Sequence, residues 1–477
     1  MTNQAFSVGF DRLDITPKTG GIPLAGFGAT NFRLAKTVLD RIYVNTVALG
    51  RGKKPEVLLL TFDWINLTNG LVHRFRKTVS ESTGFPEEKI LIGGTHTHSG
   101  PDVYSTMESI KNYFDEVDAV IASTARRAIA DMKPAKIFYG NMPAGHEGAW
   151  LNFCKHYKMA PVEKRDSWTE EDLVDVGDNY GSEYSSDPEH WFYVGHEEEA
   201  DHSIQVIRFV RKDADDVIMV NLQAHAMITG QGRDEDGLHP RNMSSDFPGV
   251  LCQEVEKLFP NTHCAFYQGA AGNLNPGTRL EKEGIYGLTY AARDCRAYAS
   301  VLAASVKKIC ASKLTESETD VIGFRKHIKT GICDHKDDHR VEDARIVSEC
   351  WSRVGKHTPE VLELCRKYGF NSPYHAGSII LKSKLPETEE IEMNAVRIGD
   401  VGFVTAPCEM FNANQLYIKE HSPFKMTFVK AYSCGRVSYI PSRNTCMNSY
   451  ERNCTHFVNG TGDEMAEELV EELKALL

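Results

Sequence analysis

The run Lys89-Ile90-Leu91-Ile92-Gly93-Gly94 constrains the fold more than any other stretch of the chain. It is apolar, too short for a helix, and closed by two glycines. An apolar strand pattern at Glu56–Phe62 and an amphipathic helix pattern at Asn69–Ser82, stopped by Gly84 and Pro86, come directly before it. Strand, helix and strand at this spacing make a βαβ unit, and such units build parallel or mixed sheets with helices on their faces. The expected class is therefore α/β, with mixed sheets flanked by helices.

The run opens into Thr95-His96-Thr97-His98-Ser99-Gly100-Pro101. Alternation along extended chain puts His96 and His98 on one side, where both can face one point in space. Other strand patterns end in the same way. Val217–Ala224 runs into His225, and Val401–Thr405, the second arm of a hairpin around Gly399-Asp400, runs into Ala406-Pro407-Cys408-Glu409. A last strand at Met426–Ala431 is followed by Tyr439 and Tyr450. Ligands of open α/β sheets sit outside the carboxyl ends of strands, so one rim can collect His96, His225, Glu409 and Tyr439. Taken singly, each has an ordinary reading as a satisfied imidazole, a helix-start carboxylate or a half-buried phenol. The loop Gly269–Gly277 adds glycines whose backbone N–H groups can approach an anion.

Size and charge narrow the partners. With 477 residues, 41% apolar and 25% charged, the chain can bury a full core, and we expect one compact unit over 1–477. The net charge of −12, from 66 acidic against 54 basic residues, argues against nucleic acid or an anionic membrane surface as the main partner. The partner expected is a small-molecule substrate. No apolar stretch reaches membrane-spanning length, the N-terminus lacks a signal-peptide pattern, and the twelve cysteines show no Cys-x-x-Cys pair. The expected location is cytoplasmic. Residues 142–201, acidic and scattered with aromatics, are expected to form a lid or rim, and 327–385 a helical subdomain. His335 and His339 beside Asp334, Asp337 and Asp338 read as a solvated charged turn, and Asp234, Asp236 and His239 as a polar loop.

Thr95–Pro101 resembles the signature of the neutral, non-lysosomal ceramidase family, zinc amidases whose first histidine in this motif binds the metal. Val220–Gly230 is similar to that family's second histidine motif, Thr405–Phe411 to its glutamate motif, and Tyr439 with Tyr450-Glu451 to its paired tyrosines. Asp14–Pro17 and Pro23–Gly28 resemble its opening segment. The resemblance implies Zn2+ held by His96, His225, Glu409 and Tyr439, with His98 and Tyr450 facing the substrate. Two segments depart from the pattern. Where the family has Gly-Asp-x-Ser-Pro this chain reads Gly272-Asn273-Leu274-Asn275-Pro276, and where it has Asn-Arg-Arg-Tyr this chain reads Cys154-Lys155-His156-Tyr157. Asn275 cannot be a nucleophile but can hydrogen-bond a carbonyl, and Lys155 with His156 can take the place of the arginines.

The leading expectation is a zinc hydrolase that cleaves an amide or ester of a small polar, sugar-like substrate by metal-activated water. The alternatives are a metal-dependent lyase or isomerase on a sugar-like substrate, and a non-catalytic binding protein.

Overall fold

In the strand Lys54–Phe62 the side chains alternate between two apolar surroundings: Leu58, Leu60 and Phe62 enter one core, Val57 and Leu59 another. A strand buried on both faces reads as an unbroken apolar run, which is how this one reads. The same alternation recurs across the large sheet and makes it an internal layer. The computed structural model describes residues 4–18, 20–27, 33–146, 149–176, 187, 189–232, 235, 239–277, 292–334, 340–354, 358–445 and 449–477. The His335 to His339 group and Asp234 and Asp236 fall outside the described residues.

The large sheet is built from β1 (Phe6–Asp14), β2 (Tyr43–Arg51), β3 (Lys54–Phe62), β4 (Ile90–Gly94), β5 (Lys133–Pro143), β6 (Ser203–Arg211), β7 (Asp216–Leu222) and β8 (Thr262–Gln268). Their order across it is β8-β7-β6-β5-β1-β2-β3-β4, with only the β7–β8 and β3–β4 pairs parallel. The expected βαβ unit is β3, α1 (Asn69–Thr83) and β4. Thr68 caps α1 through its side chain on Leu71 N–H at 3.3 Å, and Gly84 ends it in the left-handed conformation at φ 71°.

One face of this sheet packs on α1 and α2 (Glu108–Asp131) at one end and on α3 (Asp246–Leu258) and α4 (Ala292–Ser312) at the other. Its other face packs on a second sheet, built from β9 (Ile322–Ile332), β10 (Thr388–Ile398), β11 (Val401–Thr405) and β13 (Met426–Lys430) in the order β9-β10-β11-β13. The far side of that sheet is covered by α8 (Asn412–His421) and the C-terminal helix α9 (Thr461–Lys474). Met465, Leu469 and Leu473 of α9 are fully buried there, each contributing about 1.5–3 kcal/mol of transfer free energy. Helices, sheet, sheet and helices thus form four layers. Two short strands, β12 (Cys408–Met410) and β14 (Ser438–Ile440), pair in parallel beside them.

Between β9 and β10 the chain forms α5 (Val341–Val354), α6 (Pro359–Tyr368) and α7 (Pro373–Lys382), which pack on a small core of their own around Val347, Val361 and Cys365. Residues 327–332 belong to β9, so the helices begin later than the sequence pattern implies. The described part of 142–201 holds a three-stranded sheet of Val174–Val176, Tyr157–Pro161 and Trp191–His196. Among the described residues no helix is long and apolar enough to cross a membrane, and every cysteine is a free thiol.

Candidate metal centre

The strand end that carries His96 and His98 is held by the segment after β13. Gly94 N–H donates to Tyr432 O at 2.9 Å, and Gly93 bridges Ser433. A Cβ on Gly93 would lie 2.1 Å from Ser433 Oγ and one on Gly94 2.6 Å from Trp64 O, so only glycine allows the strand to come this close. The chain then turns through His96 at φ 66°, a left-handed conformation that a histidine keeps only when its surroundings fix it. Two contacts do so: the His96 ring stacks on Tyr432 at 3.8 Å, and its Nδ1 lies 2.9 Å from Ile65 O.

His225 follows β7 and is fixed in the same way, with Nδ1 2.5 Å from Ala271 O and its own N–H on Leu274 O at 3.0 Å. This corrects one expectation. The N–H groups of Gly269 and Gly272 are spent on Leu222 O and Met410 O, so the glycine-rich loop offers carbonyls that orient a histidine and builds no anion cradle. Glu409 lies on β12 directly opposite Tyr439 on β14, so both side chains leave on one face of the pair.

Backbone carbonyls only accept, so Nδ1 of His96 and of His225 carries the proton and each Nε2 presents a lone pair. Glu409 Oε2 lies 3.3 Å from His96 Nε2 and 3.5 Å from His225 Nε2, is buried, and makes no hydrogen bond among the described residues. Three acceptors with no proton between them repel one another unless a cation sits among them. His98 adds a third nitrogen, its Nε2 3.3 Å from His96 Nε2. The donor atoms of His96, His98 and His225 fall within 4.8 Å of each other. Burial, together with His96 and His225, pushes the His98 imidazole well below its usual range. Neutral imidazoles beside an ionised carboxylate are the form that a borderline divalent cation needs, so the residues fit zinc.

His98, Glu409, Tyr439 and Tyr450 line one cavity of about 500 Å³. Tyr439 and Tyr450 meet edge to face at 5.6 Å. Burial and the charge of Glu409 push the Tyr439 phenol well above its usual range, and its hydroxyl forms no hydrogen bond among the described residues. Gly26, at φ 109°, backs the His98 ring, where a Cβ would come within 2.5 Å.

Two of the expected residues stand elsewhere. Asn275 pairs with Phe153 in a short two-stranded ladder and does not line the cavity; its neighbour Leu274 supplies the carbonyl to His225. Lys155 also stays out of the cavity. It is buried in an ion pair with Glu451, whose other oxygen lies 2.7 Å from His156 Nε2, while His156 Nδ1 lies 2.8 Å from Glu197. The pair locks the start of the short helix Tyr450–Cys454 and so positions Tyr450. Among the described residues of 142–201 none lines the cavity; α5 and α7 supply part of its wall with Ser348, Trp351, Tyr374 and Leu381. Asn66, Asp102, Tyr104, Arg436 and His456 also line it, and sequence reasoning passed over them. Only Asp102, one residue past the His96 motif, and Arg436, three before Tyr439, carried a positional signal.

Fold and cluster together define an α/β protein with a buried histidine–glutamate centre able to hold a divalent metal. No protein-family model matches the chain, and no curated sequence does. Solved structures do match. The neutral ceramidase from Pseudomonas aeruginosa superposes with a TM-score of 0.67 over 99% of this chain and 74% of its own, at 15% identity. A ceramidase complexed with C2 gives 0.66 over 99% and 75%, also at 15%. The chain has the fold of the neutral ceramidases across nearly its whole length, so the resemblance read from Thr95–Pro101 extends to the architecture.

Proposed function

We propose that the chain is a zinc-dependent hydrolase that cleaves an amide or ester bond of a small substrate. The observation that carries this reading is the convergence of His96 Nε2, His225 Nε2 and Glu409 Oε2, acceptors with no shared proton. In this reading those three hold the metal, with Tyr439 the fourth ligand that the resemblance implies. When bound, zinc supplies Lewis acidity, polarising a carbonyl and bringing the pKa of water to about 7.

The remaining work falls to the chain's own groups. His98 is neutral, buried and on the cavity wall, so its ring can take a proton from attacking water and return it to the leaving group. Tyr450 lies on the same cavity wall and orients the scissile carbonyl by donating from its hydroxyl. The cavity, about 500 Å³, suits a small-molecule substrate.

Metal analysis of purified protein tests the site. Close to one zinc per chain is expected in the wild type and almost none in His96→Ala and Glu409→Ala; an unchanged zinc content in both variants sinks the proposal. Solvent oxygen-18 appearing in the product separates hydrolysis from lyase or isomerase chemistry.

A further inference from the structure

The cavity contains a cation that no carboxylate of the described residues reaches within ion-pair distance. Arg436 lines it beside Glu409, Tyr439 and Tyr450. Its backbone N–H donates to Asn69 Oδ1 at 2.8 Å, and its guanidinium lies 4.7 Å over the Tyr104 ring. No carboxylate among the described residues comes within ion-pair distance of it, and its Nε is buried without an acceptor. Other arginines of the core are treated differently. Arg76 forks onto Glu392 at 3.0 and 2.6 Å, and Arg12 onto Glu256 at 2.9 and 2.8 Å. Arg33 and Arg452, also buried, spread their donors over carbonyl oxygens: Arg33 on those of Ala25 and His98, and Arg452 on those of Ser442, Arg443 and the Asn459 amide. Desolvating a guanidinium is costly unless acceptors are present, and among the described residues Arg436 in the cavity has none from its side chain's neighbours to match these.

The surroundings narrow what the partner is. Asp102 also lines the cavity, its Oδ1 accepting from Tyr104 N–H at 3.0 Å, but it lies beyond ion-pair distance of Arg436; Glu409 belongs to the histidine cluster. Ser348 Oγ, on the wall given by α5, is a second buried donor without an acceptor. Trp351, Tyr374 and Leu381 make the adjoining wall apolar. A planar fork of N–H donors matches the paired oxygens of a carboxylate or phosphate.

We propose that Arg436 is the substrate-recognition residue of this cavity, and that the substrate is an amide or ester with an apolar body and an acidic group, a carboxylate or phosphate, that Arg436 pairs. The proposal rests on the hydrolase reading for the words amide and ester, but the anion site itself is read from binding alone.

The test is calorimetric binding to the full-length, zinc-loaded protein, using 4-phenylbutyrate, phenylpropyl phosphate and the neutral 4-phenylbutyramide. The wild type is expected to bind one of the acids at least tenfold more tightly than the amide, and Arg436→Gln to lower that preference about 10- to 100-fold, the range for a charge-assisted hydrogen bond. Any contribution of the metal to acid binding is common to both proteins, so the fall isolates the guanidinium. Equal binding of acids and amide by the wild type, or a preference that survives in Arg436→Gln, overturns the proposal. Should the glutamine variant not fold, Arg436→Lys replaces it, with a reduced preference expected and an unchanged one counting against. Which acid binds better separates carboxylate from phosphate. A protein without zinc or hydrolytic activity that still shows the preference leaves this site standing and removes only the hydrolase reading.

Discussion

Two buried clusters of the molecule use the same side chains to opposite ends. His96, His225 and Glu409 bring together three acceptors and no proton; Lys155, His156, Glu197 and Glu451 bring together two carboxylates, an ammonium and an imidazole with a proton for every contact. By proximity alone both qualify as metal sites, since Cys154, His156 and Glu197 also present ligand atoms to one point. Proton accounting separates them. Each nitrogen of His156 faces a carboxylate, so the ring is held as imidazolium, and burial raises the Cys154 thiol far above its usual range. A metal there would have to expel two protons from a satisfied network. In the first cluster it fills a gap that nothing else fills.

The largest expected effect breaks that comparison directly. Glu409→Ala should remove nearly all bound zinc and lower turnover on the order of 10³-fold, about 4 kcal/mol of transition-state stabilisation. Cys154→Ala should leave the zinc content within error. Atomic absorption on both variants decides it: zinc lost from Cys154→Ala and kept in Glu409→Ala would reverse the assignment of the two clusters.

Next comes the cost of unpairing the satisfied cluster. Glu451 is fully buried, and removing it in Glu451→Ala leaves Lys155 and His156 without a common counter-ion, which costs about 3–5 kcal/mol of folding stability. Urea unfolding measures this, and a loss below about 1 kcal/mol would mean that the cluster is not the strut it is read to be. Because Tyr450 precedes Glu451 in the same short helix, the variant should also weaken turnover beyond what its stability explains.

A smaller, pH-dependent effect sharpens the same contrast. Burial disfavours the His156 imidazolium, but Glu451 and Glu197 outweigh it and raise the group from 6.5 to about 9. Its contribution is therefore complete below pH 6.5 and is lost as pH rises through about 9. Glu451 is raised by burial and lowered more by Lys155 and His156, to about 2, so its share is present above pH 4.5 and fades as pH falls through about 2. Melting temperatures of the wild type should decline from pH 6.5 to 9, and those of His156→Gln should decline less. Parallel curves for the two proteins would remove His156 from the explanation.

How much of this was legible beforehand follows from which forces act locally. The βαβ unit at the head of the chain was readable because β3 and β4 are buried on both faces and α1 carries its own cap and stop. That His96, His225 and Glu409 stand at strand ends was equally readable, since each apolar run breaks at a polar residue. What brings them together was not: the parallel pairing of β12 with β14, which sets Glu409 against Tyr439, spans three residues a strand and has no periodicity to detect. Arg436 was passed over for a related reason, because an unpaired guanidinium is defined by the carboxylates that are not near it. The helical subdomain was expected to start at 327, inside β9, because the exposed and half-buried residues of that strand alternate without a dense apolar core.

Asn275 gives the smallest effect and tests the reading most finely. Its motif position marked it as a substrate contact, yet it lies in the ladder with Phe153, one residue past the carbonyl that orients His225, and outside the cavity lining. If the segment acts through its backbone, Asn275→Ala keeps the Leu274 carbonyl in place and should change kcat/KM less than about threefold, under 1 kcal/mol. Replacing Leu274 with proline would leave that carbonyl but strip the N–H that Ala271 O accepts at 3.0 Å, loosening the loop that holds His225 and costing zinc as well as activity. A large loss in Asn275→Ala with zinc retained would instead put the amide against the substrate, and the cavity wall would then have to rearrange on binding to admit it.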